Sequence, residues 1–189
     1  MTSSRTCLGA ELLRLARDSL REELLKEAPS PQRAPQIHDL TALGASFVTL
    51  RIDNDLRGCI GSLEATRSLQ EDVRINALAA ARDDPRFAPL EPHELAGLSI
   101  EVCVLTPPEP LACNSESELL ARLRPGTDGL VLRRGRHRAT LLPQVWESLP
   151  TPCEFVRALW EKAGLKPGTW RHDLRIERYE VRSWKDGHP

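Results

Sequence analysis

The chain has 189 residues, enough for one domain or two closely packed lobes that bury a core without disulfide or metal staples. It is 40% hydrophobic and 28% charged, with 26 basic against 27 acidic residues, and this balance excludes a general nucleic-acid coat and an anionic-membrane binder. No apolar run approaches the ~18 residues of a membrane span, and residues 1–5 lead into a charged amphipathic segment without a signal-peptide core, so a cytoplasmic protein is expected.

The first element is a helix over residues 7–27. Leu8, Leu12, Leu15, Ala16, Leu20 and Leu24 form one apolar stripe, with charges opposite. Pro29, Pro31 and Pro35 end it and open a linker over about 29–36. Residues 46–52 are rich in β-formers, Asp53-Asn54-Asp55 is turn chemistry, and residues 56–63 return as a hairpin partner. Ser68-Leu69-Gln70-Glu71 reads as a capping box for a helix to about Arg82, with Val73, Ala77 and Ala80 on its inner face. Asp83 to Phe87 breaks that helix.

Residues 98–105 alternate as a strand that Pro107-Pro108 stops. Ser115 to Glu118 is a second capping box, opening a helix to about Leu123. A hairpin over 129–133 and 137–142 turns at Arg134-Gly135-Arg136, and Pro143 opens a short helix. Thr151-Pro152-Cys153-Glu154 combines an N-cap, a first-turn proline and a box glutamate, and that helix ends at Gly164. Residues 174–181 form a last strand. Strands in hairpins with interspersed helices predict an α+β fold with a mainly antiparallel sheet flanked by helices. The four tryptophans (Trp146, Trp160, Trp170, Trp184) are expected in the core of a second lobe.

The densest chemistry is Leu56-Arg57-Gly58-Cys59-Ile60-Gly61. Glycines let a backbone bend or be approached closely, and a guanidinium favours a thiolate. Cys59 is the candidate catalytic residue, as nucleophile, redox thiol or carrier of a covalent intermediate; the alternative is a small buried cysteine where another element crosses. On a regular strand Arg57 and Cys59 share a face. Arg57 and Arg86 are candidate binders of a carboxylate or phosphate, or else form ion pairs, Arg57 with Asp55 or Glu101 and Arg86 with Asp84. Glu101, the one charge on its strand, either faces the hexapeptide or lies on a solvent face. Gly58 and Gly61 complete the candidate binding set.

The five cysteines (Cys7, Cys59, Cys103, Cys113, Cys153) form no C-x-x-C and read as reduced thiols. The histidines have no ligand spacing, and there is no phosphate loop and no G-x-S-x-G, so neither metal nor cofactor is expected. Arg133-Arg134-Gly135-Arg136-His137-Arg138 is a basic tip able to contact RNA or an acidic partner, or simply a solvated turn.

The hexapeptide resembles the hallmark of the AMMECR domain family, whose prokaryotic members are called protein A of the AmmeMemoRadiSam system. Further resemblances are Asp84-Pro85-Arg86-Phe87, Glu101 to Leu105, Asp128 to Val131, Leu141 to Val145, and Lys162 to Leu165 followed by Trp170, covering about residues 8–184. Two positions depart from the family pattern: Cys103, more often serine, and Arg82, usually aromatic. The resemblance implies one domain over residues 1–189, with a larger and a smaller lobe, the boundary falling near 107–115. It also implies association with a Memo-like protein and a radical-SAM protein, and it supplies no reaction. The expected function is therefore an accessory component that recognises a small ligand or partner through the site around Arg57 and Cys59. Alternatives are an enzyme using Cys59 on a carboxylate, phosphate or modified nucleoside, and an RNA-binding or RNA-modifying domain.

Overall fold

The structure is a computed structural model, and it describes residues 2–28 and 38–186, with side chains from residue 8 onward. The expected proline-rich linker, about 29–36, lies outside the described residues, as does the Cys7 side chain. In chain order the elements are α1 (Thr2–Leu25), α2 (His38–Thr41), β1 (Leu43–Ile52), β2 (Asp55–Gly61), β3 (Arg67–Ser68), α3 (Leu69–Arg82), a 3-10 turn (Pro92–Gly97) and β4 (Leu98–Leu105). Then come β5 (Glu109–Pro110), α4 (Glu116–Arg122), β6 (Gly129–Arg134), β7 (His137–Leu141), a 3-10 turn (Pro143–Glu147), α5 (Pro152–Lys162), β8 (Arg175–Tyr179) and β9 (Val181–Lys185). The fold is α+β, with antiparallel sheets and flanking helices. The chain divides into two compact units, residues 1–105 with 182–189, and residues 106–181.

The first unit is built on a sheet of order β2-β1-β4-β9, with the short β3 also paired to β1. Its core joins the α1 stripe (Leu8, Leu12, Leu15, Ala16, Leu20) to Val73, Ala77 and Ala80 of α3 and to Val48, Leu50, Ile100 and Val102 of the sheet. These are the faces that helical and strand periodicity assign to the interior. Helix α1 stops where Lys26 enters the left-handed region at φ 54. The β1–β2 hairpin turns through Asp53 and Asn54, at φ 51 and 68, the residue types that tolerate this region in a tight turn.

Ser68 precedes α3 but does not cap it with its side chain, contrary to the expected capping box. Ser68 is instead paired with Leu43 in β3, and the first helical N–H, from Leu69, donates to the Ala42 carbonyl at 2.8 Å. Ser115 does accept from the Glu118 N–H, and Thr151 and Glu154 form a complete capping box on α5.

The second unit has a sheet of order β5-β8-β6-β7. Its core gathers Leu130, Leu132, Phe155, Leu159, Trp146 and Trp160, with Trp146 stacked on Phe155 at a centroid separation of 3.9 Å. The expected last strand, 174–181, is two strands in two sheets. They part at Glu180, whose carbonyl and N–H are both held by Thr106. Trp184, expected in the second lobe, packs in the first unit, against Gly9 of α1.

Candidate functional site

Strand β1 is the middle of the site. Thr49 pairs with Cys59 of β2 on one side and with Glu101 of β4 on the other, so the three side chains share one face. That face is opposite Leu50 and Ile100, which enter the core. The Thr49 hydroxyl donates to the Cys59 sulfur at 3.3 Å. The Cys103 thiol lies 3.7 Å from the Glu101 carboxylate. Burial, followed by the charge of Glu101, pushes the Cys103 thiol up to about 12, so it stays protonated. Cys103 pairs with Phe47, two residues along β1 from the partner of Cys59 and on the strand beyond it, a gap of about 12 Å that no disulfide spans.

The backbone around Cys59 is held from two sides. A Cβ at Gly58 would overlap the carbonyl oxygen of Ala80, so the glycine is what lets α3 lie on β2. At Gly61 a Cβ would overlap the Phe47 ring. On the open edge of β2, the Cys59 N–H donates to the buried Asp84 carboxylate at 2.8 Å. Asp84 also accepts from the Arg86 N–H, at 3.1 Å, and from both sides of the Arg86 guanidinium, at 2.9 and 2.7 Å. This guanidinium, helped by the two N–H groups against the cost of burial, holds the Asp84 carboxyl well below the usual carboxylate range.

Arg57 does not share its face with Cys59 in regular alternation. The register slips between Leu50 and Arg51, leaving Arg57 as the extra residue of a β-bulge. Its guanidinium closes on both oxygens of Glu94, at 2.7 and 2.9 Å, and on the carbonyls of Ala88 and Pro89. Of the two alternatives read from the sequence, both arginines form internal ion pairs, Arg57 with Glu94 rather than with Asp55 or Glu101, and Arg86 with Asp84. Arg57 has all three nitrogens engaged, and Arg86 has its Nε–Nη2 edge closed on Asp84. Arg133 and Arg134, from the basic tip, meet Glu177 and Asp173.

One cluster escaped the reading of the sequence. Asp72, fully buried on α3, accepts from the Ser46 N–H and hydroxyl, Ser62, Arg67 and Asn76, at 2.7 to 2.8 Å. It ties the residue after the hexapeptide to β1 and α3. The available signal was Asp72 and Asn76, four apart among the apolar positions of α3. Among the described residues no three His, Cys, Asp or Glu side chains converge as a metal needs. No helix among them is long and apolar enough to cross a membrane.

The AMMECR1 family model matches residues 13–184. The chain belongs to the AMMECR1 family. An AMMECR1-family relative from Thermofilum pendens is 36% identical, covering 96% of this chain and 91% of its own length. One from Methanothermobacter thermautotrophicus is also 36% identical, over 92% and 91%. The crystal structure of an uncharacterised protein of Pyrococcus horikoshii, PH0010, matches with a TM-score of 0.77 at 33% identity, over 96% of this chain and 92% of that one. Residues 56–61 thus lie in a fold held in common with that protein.

Proposed function

We propose that this protein is an accessory recognition component, acting in the cytoplasm with a Memo-like protein and a radical-SAM protein. The face carrying Cys59, Thr49 and Glu101 meets the ligand or partner. One observation carries this reading: the hydrogen-bond partner of the Cys59 sulfur is a hydroxyl, while Arg57, Gly58 and Arg86 are taken up in packing and internal ion pairs. A threonine hydroxyl at neutral pH is no base for a thiol, whereas nucleophilic cysteines depend on one. The bulged, glycine-packed strand is a rigid mount for the row of side chains beside it.

The test is co-expression of this chain with a Memo-like and a radical-SAM protein from one organism, followed by affinity capture. Both partners are expected to co-elute, Cys59→Ser is expected to retain them, and Glu101→Arg is expected to release them with the circular dichroism unchanged. Failure of both to co-elute with the wild-type chain overturns the reading.

A second reading, an enzyme with Cys59 as nucleophile, draws on the half-buried thiol receiving a hydrogen bond that also suits a thiolate. It requires a mass increment on Cys59 after incubation with a substrate and loss of turnover in Cys59→Ser. The RNA reading loses ground because Arg133 and Arg134 are occupied by carboxylates.

A further inference from the structure

Resting on the reading of this face as a recognition surface, we propose that its ligand presents a guanidinium or ammonium group, seated on the Glu101 carboxylate with Thr49 and Cys59 beside it. The argument is a charge inventory. Arg57 is neutralised by both oxygens of Glu94, and Arg86 by both oxygens of Asp84. Arg51, on the same face toward the hairpin turn, is directed to the Asn54 carbonyl, to which it donates at 3.2 Å. Lys185 sits exposed on β9, beside β4, and among the described residues forms no ion pair with Glu101. The contact Glu101 makes there is with the Cys103 thiol, a weak donor at 3.7 Å. Among the described residues Glu101 is therefore a carboxylate without a cation, on a row whose other members can accept.

The chemistry of the row is complementary to a group that only donates. A carboxylate offers two oxygens, Thr49 keeps lone pairs after donating to sulfur, and Cys59 adds a soft acceptor. A guanidinium has N–H donors in a fork and no acceptor, and it matches a carboxylate bidentately. An anionic ligand would meet Glu101 with like charge, while the guanidinium groups of Arg57 and Arg86 already pair with carboxylates. The charge of Glu101 also helps raise the neighbouring Cys103 thiol, which lies 3.7 Å from its carboxylate.

The experiment titrates the native protein with arginine amide, with a capped Gly-Arg-Gly peptide and with inorganic phosphate. It reads iodoacetamide labelling of Cys59 against the exposed Cys153, and the amide resonances of β1 and β4. A cationic probe is expected to slow labelling of Cys59 and not Cys153, and to move the Thr49 and Glu101 resonances. Glu101→Gln is expected to weaken the effect about tenfold, and Lys185→Ala to leave it equal or stronger. Similar responses to both cationic probes assign the group to a small ligand; response to the peptide alone assigns it to a basic side chain of a partner protein. Protection by phosphate, undiminished binding in Glu101→Gln, weakened binding in Lys185→Ala, or no response to either cation overturns the proposal. Capture of the Memo-like and radical-SAM proteins without a cation response removes this inference alone. A cation response without capture leaves it standing and removes the partnership.

Discussion

Gly58 has a plain steric reason for being glycine: the carbonyl oxygen of Ala80 occupies the space of a Cβ. Gly58→Ala is expected to destabilise the fold by about 1–3 kcal/mol, as overpacking against backbone does, measured by urea unfolding monitored at the tryptophans. Asp84 predicts a pH dependence. Its carboxyl titrates near ~3.9 in the unfolded chain and lower in the fold, where the Arg86 guanidinium, and then the Cys59 N–H, favour the charge. Between those two values the unfolded chain holds more protons. The contribution to stability is therefore complete above the ordinary carboxylate value and is lost as pH falls through the folded one. Asp84→Asn is expected to be less stable at neutral pH and to show a flatter acid limb below about pH 5, measured by thermal melts across pH; an unchanged slope counts against the geometry. The sequence displayed Asp84 beside Arg86, but not that Asp84 reaches the edge of β2, because that contact crosses 25 residues.

Capping separates two helices that look alike in sequence. Thr151 caps α5 and Ser68 does not cap α3, so Thr151→Ala is expected to cost about 1 kcal/mol and Ser68→Ala much less, compared by chemical denaturation. A comparable loss for Ser68 would contradict the hydrogen-bond pattern. Local signals made most elements legible: the α1 stripe, the Asp-Asn turn, the alternation of β4 and the glycine ending α5. They also marked Cys59 and Glu101 as candidates, and the fold sets both beside Thr49. The bulge at Arg57 was not legible, since it arises from a register slip between two strands rather than from any one residue. For the same reason the partner of Arg57 was misread: Glu94 lies 37 residues away, in a 3-10 turn that sequence periodicity does not announce.

At the scale of the whole molecule, the first unit is completed by residues that follow the second in the chain. Strand β9 adds to β4, Trp184 covers Gly9, and Asp186 takes the Ile100 N–H at 2.7 Å and pairs with Arg17 of α1. A chain ending at Glu180 is expected to lose amide-exchange protection in α1 and β4, and to keep it in β6 and α5. The reverse pattern would contradict the division into units. The run 174–181 concealed this, because β-forming composition does not say which sheet a strand joins. This closure also bears on synthesis. In a nascent chain the larger unit is begun first but waits with its β4 edge uncovered until β9, which follows residues 106–181, has been made. Emergence of β9, not of the N-terminal half, is then the step at which the larger unit gains its last strand, and until that moment its exposed edge is the part of the molecule most in need of a chaperone's cover.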